Sequence, residues 1–428
     1  MTPATLSTPT HDRARTSSIQ ELGSIAAAAH GVAEHICSMA VPCGDGMVTW
    51  LEEMPQSGTK PKVLGPHLYD GTLGISLFLA AAASLESDAP QAQAWRETAL
   101  AGSRPMRRKL GALVGDPERA AAFDLGVGGL TGVAAFVYAL TRIGDFSAEP
   151  EAVREAIVIA DAFLTEDKIH ADRRLDLMSG TAGALCALLT LRSVAVRHGL
   201  VDDERAGALL ASATLCGRHL LATQETAGGW PGLDRPALTG FAHGAAGIAH
   251  ALLRLAEDTG EAVYRDAALR SLRFERELYR PEARNWMDPR RGRPLEQTAW
   301  CHGAPGMLLS RVAAVSADAA PELQTDLELA LELTLDLPEK EIDHLCCGNA
   351  GQIEILSLAA ARLGRPELET HAARLAAAVI DRGTRFQVEE NAVPEALDLS
   401  LFLGHAGWGW SLLQLAHGGT LPSVLWME

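Results

Sequence analysis

A Gly-x-x-Gly element followed by an apolar, helix-forming stretch recurs seven times along this chain of 428 residues. Successive first glycines are 58, 51, 64, 59, 45 and 56 residues apart, which leaves room in each step for two helices and two loops. A repeat of this length predicts a repetitive helical architecture. The pairs are Gly71/Gly74, Gly129/Gly132, Gly180/Gly183, Gly244/Gly247, Gly303/Gly306, Gly348/Gly351 and Gly404/Gly407.

Two kinds of helical segment alternate along these steps. Between glycine pairs the pattern is amphipathic, as in residues 366–379, where apolar side chains recur at helical spacing after Pro366. After a glycine pair, as in residues 244–253, the segment begins with small residues and is apolar on most sides, which predicts a buried helix. Glycine at these starts permits the close backbone approach that helices converging on an axis require.

These segments predict an all-α fold, because Ala and Leu dominate, aromatic residues make up only 5% and strand-like alternation is scarce. Seven inner and seven outer helices would close into an (α/α)7 toroid. An open solenoid is the alternative, but the absence of a polar capping repeat at the end favours closure. Residues 1–18, rich in Thr, Ser and Pro, are predicted to be a flexible tail, and residues 19–428 a single domain.

The overall charge narrows the possible partners. Lysine and arginine number 37 against 54 acidic residues, and the resulting formal charge of −17 disfavours nucleic acid and anionic membrane surfaces. No segment reaches the roughly 18 uninterrupted apolar residues that span a bilayer, so no stable membrane insertion is expected. The N-terminal residues lack the apolar block of a signal peptide, which predicts a cytoplasmic protein.

Three of the glycine motifs carry unusual residues immediately before the first glycine. If the inner helices all run the same way, their N-termini share one rim, and Cys301, Cys346 and Cys347 meet around one cavity. Zinc favours three thiolates with an open fourth position in catalytic sites, which predicts one Zn²⁺ per chain. His344 and His302 are the next candidates should one cysteine not bind. The remaining cysteines are predicted to be inert core residues: Cys37, Cys43, Cys186 and Cys216.

The motifs that carry these residues together form a specific combination: Leu68-Tyr-Asp-Gly-Thr-Leu-Gly74, Asp176-Leu-Met-Ser-Gly-Thr-Ala-Gly183, Ala242-His-Gly-Ala-Ala-Gly247, Trp300-Cys-His-Gly-Ala-Pro-Gly306 and Cys346-Cys-Gly348. In this combination the chain resembles the lanthionine synthetase C family, the cyclases that close thioether rings in lanthipeptides, from about Glu21 to Glu428. The resemblance implies a helical toroid and a zinc ion with ligands that map to Cys301, Cys346 and Cys347.

The resemblance also implies the reaction and its catalytic residues. A cysteine thiol of a dehydrated precursor peptide, made of leader and core, would add to dehydroalanine or dehydrobutyrine in the same peptide. His243 would protonate the α-carbon, and Asp176 would orient an imidazole or accept the thiol proton. The residues leave open whether these two roles are exchanged.

The chain departs from the family pattern in three ways. Many relatives have histidine where this chain has Cys347, and the three-cysteine version is similar to a subgroup of the bifunctional class II synthetases. The dehydratase region of those enzymes is absent from this sequence, so a separate dehydratase is expected as a partner unless the chain is a detached domain. Gln297 stands where some cyclases carry arginine, which leaves a substrate-positioning role at that position open.

Three other functions are weighed against the cyclase. One is a relative that uses glutathione or another thiol, and another is a non-catalytic, zinc-containing scaffold that binds peptides. The third is an α/α-barrel glycosidase, which needs two carboxylates at the mouth of the cavity. The sequence offers no obvious acidic partner for Asp176 in another glycine motif, and a glycosidase leaves the three cysteines unexplained.

Overall fold

The computed structural model describes residues 10–52, 62–123, 125–232, 236–290, 292–294, 298–315, 321–386 and 398–428. Helices dominate this part of the chain, which confirms the all-α prediction. In chain order they are α1 (Thr10–Ser38), α2 (Thr72–Leu85), α3 (Ala89–Val114), α4 (Pro117–Ala122), α5 (Val133–Phe146), α6 (Pro150–Phe163), α7 (Glu166–Ala171), α8 (Thr181–Arg197), α9 (Asp203–Thr223), α10 (Ala245–Thr259), α11 (Ala262–Glu277), α12 (Ala304–Val315), α13 (Pro321–Asp336), α14 (Asn349–Leu363), α15 (Pro366–Arg382) and α16 (His405–Ala416).

Short strands lie in the connections between helices. They are β1 (Val41–Gly44), β2 (Met47–Thr49), β3 (Leu51–Glu52), β4 (Lys62–Val63), β5 (Tyr279–Arg280), β6 (Asn285–Asp288) and β7 (Arg293–Pro294), with a 3₁₀ turn at Pro281–Ala283. β1 pairs with β2 and β3 with β4, while β5, β6 and β7 form one three-stranded antiparallel sheet. These short strands interrupt none of the helices.

The helices that follow the glycine motifs pack side by side in a closed ring. α2 contacts α5, and the contacts continue through α8, α10, α12, α14 and α16, which returns to α2. Each ring helix also packs against an outer helix, in the pairs α2/α3, α5/α6, α8/α9, α10/α11, α12/α13, α14/α15 and α16/α1. The contact between α16 and α2 confirms the toroid and contradicts the open solenoid.

Burial follows the two sequence patterns. Every residue of α2 from Thr72 to Ala83 is buried, as expected for a helix that is apolar on most sides and enclosed by neighbours. The outer helix α15 buries only one stripe, which includes Leu368, Ala372 and Val379. Pro366 occupies its first turn and Gly383 follows its last residue, as the sequence predicted.

The second glycine motif differs from the others in register. The other inner helices of the described chain begin directly after the first glycine of their pair, as α2 does after Gly71. Helix α5 instead begins after Gly132, the second glycine of its pair, so it still begins at the predicted glycine motif. Gly129 instead allows a close approach to the start of α8, because a Cβ atom on Gly129 would lie 2.7 Å from the Cα atom of Gly183.

Loops that precede the inner helices are linked to one another by main-chain hydrogen bonds along one rim. The linked residues each stand two positions before the glycine that caps the following helix. The bonds run from Leu130 N to Met178 O (2.9 Å), Met178 N to Ala242 O (3.1 Å), Cys346 N to Phe402 O (3.1 Å) and Phe402 N to Tyr69 O (3.0 Å). These bonds hold side chains from distant parts of the sequence on the same rim, as the sequence analysis expected.

The second glycine of a motif sets how closely a loop can pack on its helix. A Cβ atom on Gly351 would lie 2.2 Å from the carbonyl oxygen of Leu345, which leaves no room for a side chain. We expect Gly351→Ala to lower the free energy of unfolding in urea by about 1–3 kcal/mol, the usual cost of overpacking.

The matched control is Gly111→Ala. Gly111 lies within α3 with open space at its Cβ position, so alanine there should raise the free energy of unfolding by about 0.5–1 kcal/mol through helix propensity. If the Gly351 variant were as stable as the parent, the close packing of this loop would be refuted.

Helix α1 begins at Thr10, within the segment predicted as a tail. Residues 1–9 lie outside the described residues, so the flexible tail and its boundary at residues 18 and 19 stay predictions. Among the helices of the described chain, none combines the length and apolar character needed to cross a bilayer.

Candidate active site

Three cysteine side chains come together at the rim. The Sγ atoms of Cys301, Cys346 and Cys347 all lie within 4.8 Å of one another, close enough to share one metal ion. Cys346 and Cys347 occupy the non-helical turn before α14, and Gly348 caps that helix in an extended conformation. This turn allows two adjacent side chains to face the same point, which successive helical residues cannot do.

The three thiols share their protons unequally. Hydrogen bonds from Cys301 and Cys346 hold the pKa of Cys347 far below its ordinary value. Hydrogen bonding with Cys301 and Cys347, together with burial, raises the pKa of Cys346 well above its ordinary value. The cluster is therefore organised around a thiolate, the form in which cysteine is a nucleophile and a metal ligand.

Tyr69 lies beside the cysteine cluster. Its ring stacks on Phe402, with centroids 4.8 Å apart. Burial, negative charge on Cys346 and a hydrogen bond with Cys346 raise the pKa of the Tyr69 hydroxyl far above its ordinary value. The phenol therefore stays protonated and can donate to the sulfur.

Two nitrogen-containing side chains border the cluster from the chain segment before α14. The Nζ atom of Lys340 donates to the carbonyl oxygen of Cys347 (3.0 Å) and to that of Thr298. Burial lowers the pKa of Lys340 to about 8, against the opposing effect of the three cysteines. Burial also lowers the pKa of His344, but hydrogen bonds to Cys347 and to the Phe386 carbonyl raise it overall.

Asp176 and His243 form an imidazole–carboxylate pair on the same rim. His243 Nδ1 lies 3.0 Å from Asp176 Oδ2, and Asp176 Oδ1 accepts a hydrogen bond from Ser179 N (2.6 Å). The aspartate is 14% exposed and the imidazole 31%, so the pair is held by the protein yet open to a ligand. A carboxylate on Nδ1 fixes the tautomer and leaves Nε2 for proton transfer.

His302 connects this pair to the cysteines. Its ring stacks on that of His243, with centroids 5.6 Å apart, and it directly follows Cys301 in the chain. His302 is buried, and its Nδ1 atom lies 3.3 Å from the carbonyl oxygen of Thr239. All five predicted site residues thus stand in two groups on one rim, three cysteines and one histidine–aspartate pair, and His302 lies between the two groups.

Two acidic side chains, Glu275 and Asp172, hold the loops of the site in place. Glu275 on α11 is fully buried, pairs with Arg311 and accepts hydrogen bonds from Gly240 N (3.1 Å) and Ala246 N (3.0 Å), on either side of His243. Asp172 holds the Asp176 loop in a similar way through Thr181 N (2.9 Å). Each carboxylate accepts hydrogen bonds from main-chain N–H groups. The loops are therefore held in place without contributions from the side chains of the proposed site.

Tyr69 and Lys340 did not emerge from the sequence analysis as site residues. Tyr69 stands two positions before its glycine, the same register as Cys301 and Cys346, and that register could have identified it. Lys340 lies outside every glycine motif and offered no such signal. Gln297 lies outside the described residues, so its predicted position stays untested.

The other cysteines lie away from the cluster. Cys186 and Cys216 are buried, as predicted, and burial raises the pKa of both thiols. Cys37 is half-buried. The prediction of a core position is wrong for Cys43, which is exposed in β1 because this two-stranded hairpin lies on the surface.

Comparisons with known proteins agree with this fold. The family model described as lanthionine synthetase C-like protein matches residues 62–426. No curated protein matches the sequence. Among solved structures, nisin cyclase superposes with a TM-score of 0.57 at 18% identity, covering 81% of this chain and 88% of that chain. At this identity the likeness shows a shared fold alone.

Two further structures are more distant. An unsaturated glucuronyl hydrolase specific for heparin has a TM-score of 0.44 at 12% identity, covering 73% of this chain and 96% of that chain. A sugar epimerase from a ruminal bacterium has a TM-score of 0.43 at 12% identity, with 82% and 87% covered. Neither is close enough to inform the chemistry of the site.

Proposed function

The chain belongs to the lanthionine synthetase C-like family, and on that premise we propose that it is a cyclase that forms thioether rings in peptides. The substrate is a dehydrated peptide in which a cysteine thiol adds to dehydroalanine or dehydrobutyrine. The observation that carries the proposal is the cluster of three cysteine sulfurs on the same rim as a histidine–aspartate pair, with His302 stacked on His243. The family fold alone, without the three cysteines, would not support this reaction.

We propose zinc as the metal of the cysteine cluster. A zinc–sulfur distance of about 2.3 Å in a tetrahedral site separates the sulfurs by about 3.8 Å, which fits within the observed limit of 4.8 Å. Three protein ligands leave one position open, as catalytic zinc sites require. When bound, the metal supplies Lewis-acid activation that favours the thiolate form of a substrate cysteine.

The residues around the cluster account for the protons. In the addition, the thiol loses its proton, a bond forms between sulfur and the β-carbon, and the α-carbon gains a proton, so the peptide mass does not change. His243, held through Nδ1 by Asp176, is the proposed acid that delivers a proton from Nε2 to the α-carbon. Asp176 orients the imidazole through this contact with Nδ1.

The substrate requirement implies an earlier reaction. Dehydroalanine and dehydrobutyrine arise from serine and threonine by loss of water, so a dehydratase must act on the peptide first. We propose that this activity comes from a separate protein acting on the same precursor. We also propose that this precursor consists of a leader and a core.

The test is incubation of the zinc-loaded protein with a dehydrated peptide that contains cysteine. Because ring closure leaves the mass unchanged, free thiols are alkylated and counted by mass spectrometry. We expect thiols to disappear with zinc, to persist after chelation and to disappear again when zinc is restored. Thiols that persist with the metal-loaded protein would refute the cyclase.

Adding glutathione to the same assay distinguishes the alternative functions. Added glutathione should leave the ring as the main product if the chain is a cyclase. Products that carry glutathione mass would instead support a relative that uses a free thiol. Peptide binding without any loss of thiols would indicate a non-catalytic scaffold.

A further inference from the structure

Lys340 joins the two loops that carry the cysteines. Its Nζ atom donates to the carbonyl oxygen of Cys347 (3.0 Å) and to that of Thr298, three residues before Cys301. One side chain therefore bonds to both segments that must meet for three sulfurs to share a metal ion.

The main chain of Lys340 is fixed to the start of α14. Lys340 N donates to Asn349 Oδ1 (2.8 Å), and Asn349 Nδ2 donates to Lys340 O (2.9 Å). Asn349 is fully buried, and its amide also donates to Asp343 Oδ1 (2.7 Å). Asp343 in turn pairs with Arg382 (2.8 Å). The lysine is thus held by a buried polar network and is not a freely moving surface side chain.

A positively charged group beside the cysteine cluster offsets the negative charge of the metal-loaded cluster. A divalent metal with three thiolates carries a formal charge of about −1, and a thiolate ligand from a substrate would make it more negative. Negative charge that is partly withdrawn from water is costly unless a positive group stands near it. The ammonium group of Lys340 provides this positive charge, because it donates to the carbonyl oxygen of Cys347.

We propose that Lys340 is a positioning residue that clamps the two cysteine loops together and offsets the negative charge of the metal-loaded cluster. This inference rests on the proposed metal-dependent function. It separates two contributions of one side chain, the hydrogen bonds to both loops and the positive charge.

The experiment measures zinc affinity of the full-length, metal-free protein by competition with a chromophoric chelator. Lys340→Met removes both contributions, and we expect its zinc affinity to fall about 10- to 100-fold, the usual effect of losing an outer-shell partner. Lys340→Arg keeps the charge and the donors and should retain most of the affinity. Lys340→Gln keeps a hydrogen-bond donor without the charge, and its zinc affinity should lie between those of the other two variants. It replaces Lys340→Met in the comparison if the methionine variant does not fold.

The matched control is Lys168→Met. Lys168 also donates to two main-chain carbonyls, those of Ala120 (3.4 Å) and Phe123 (3.3 Å), but it lies outside the cluster. Its zinc affinity should equal that of the parent. Cobalt(II) substitution adds a spectroscopic readout, because sulfur-to-cobalt absorption should weaken or shift in Lys340→Met and remain in Lys168→Met.

The outcomes separate this inference from the proposed function. If the parent protein binds zinc and cyclises peptide but Lys340→Met binds zinc equally well, the role of Lys340 is overturned and the cyclase stands. If Lys340→Arg loses as much affinity as Lys340→Met, the contribution of charge is overturned. If the parent binds no zinc, the proposed metal and this inference fail together.

Discussion

Replacing Cys301 by alanine is expected to abolish both stoichiometric zinc binding and ring closure. Cys301 comes from a different loop than Cys346 and Cys347, and its sulfur completes the cluster within 4.8 Å. Without it, only two adjacent sulfurs remain, too few for the three protein ligands of a catalytic zinc site. Zinc content of the purified protein should fall from about one equivalent toward none, and peptide thiols should persist at the level seen without protein.

Cys216→Ala is the matched control for this variant. Cys216 is also a buried cysteine, but it lies on the outer helix α9, away from the cluster. Its removal should leave zinc content and cyclisation unchanged apart from a small loss of stability. Full cyclisation by the Cys301 variant would remove the cysteine cluster from the reaction.

Replacing His243 by asparagine is expected to leave zinc bound and to slow ring closure by a factor of about 10²–10⁴, the usual contribution of a positioned acid or base. The imidazole lies 3.0 Å from Asp176 and outside the sulfur cluster, so its loss should not disturb the metal ligands. The measurement is the single-turnover rate of thiol loss, together with zinc content. Asp176→Asn should slow the reaction as well, because the imidazole loses its orienting carboxylate.

A second imidazole–carboxylate pair provides the control. His198 Nε2 lies 2.7 Å from Asp145 Oδ1, at the other end of the inner helix α8 from the rim. His198→Asn removes a similar ion pair and should leave the rate of cyclisation unchanged. Equal rates for the parent and the His243 variant would exclude His243 as the acid.

The sequence predicted the ring because its signal is repeated and local. Glycine followed by an apolar stretch marks each inner helix, and a shared direction places the residues before the glycines on one rim. That reasoning brought Cys301 together with Cys346 and Cys347 across a long separation, whereas Asp176 and His243 were identified through the family resemblance. The second motif differs from the others only in register, since its helix begins after Gly132 and not after Gly129.

Contacts made between loops were not predictable in the same way. Lys340 reaches the cluster because Asn349 fixes its main chain and two carbonyls receive its ammonium group. Glu275 supports the His243 loop from an outer helix through main-chain donors. Neither relation leaves a period or a spacing in the sequence, since each depends on side chains that meet only after the ring has closed.

We propose that three cysteine sulfurs of this chain hold one zinc ion. X-ray absorption at the zinc edge of the purified, zinc-loaded protein tests it directly, because it counts the sulfur neighbours of the metal. We expect three sulfurs at about 2.3 Å with one lighter atom completing the site. A spectrum with fewer than three sulfurs, or one that is unchanged in Cys301→Ala, would refute the three-cysteine zinc site.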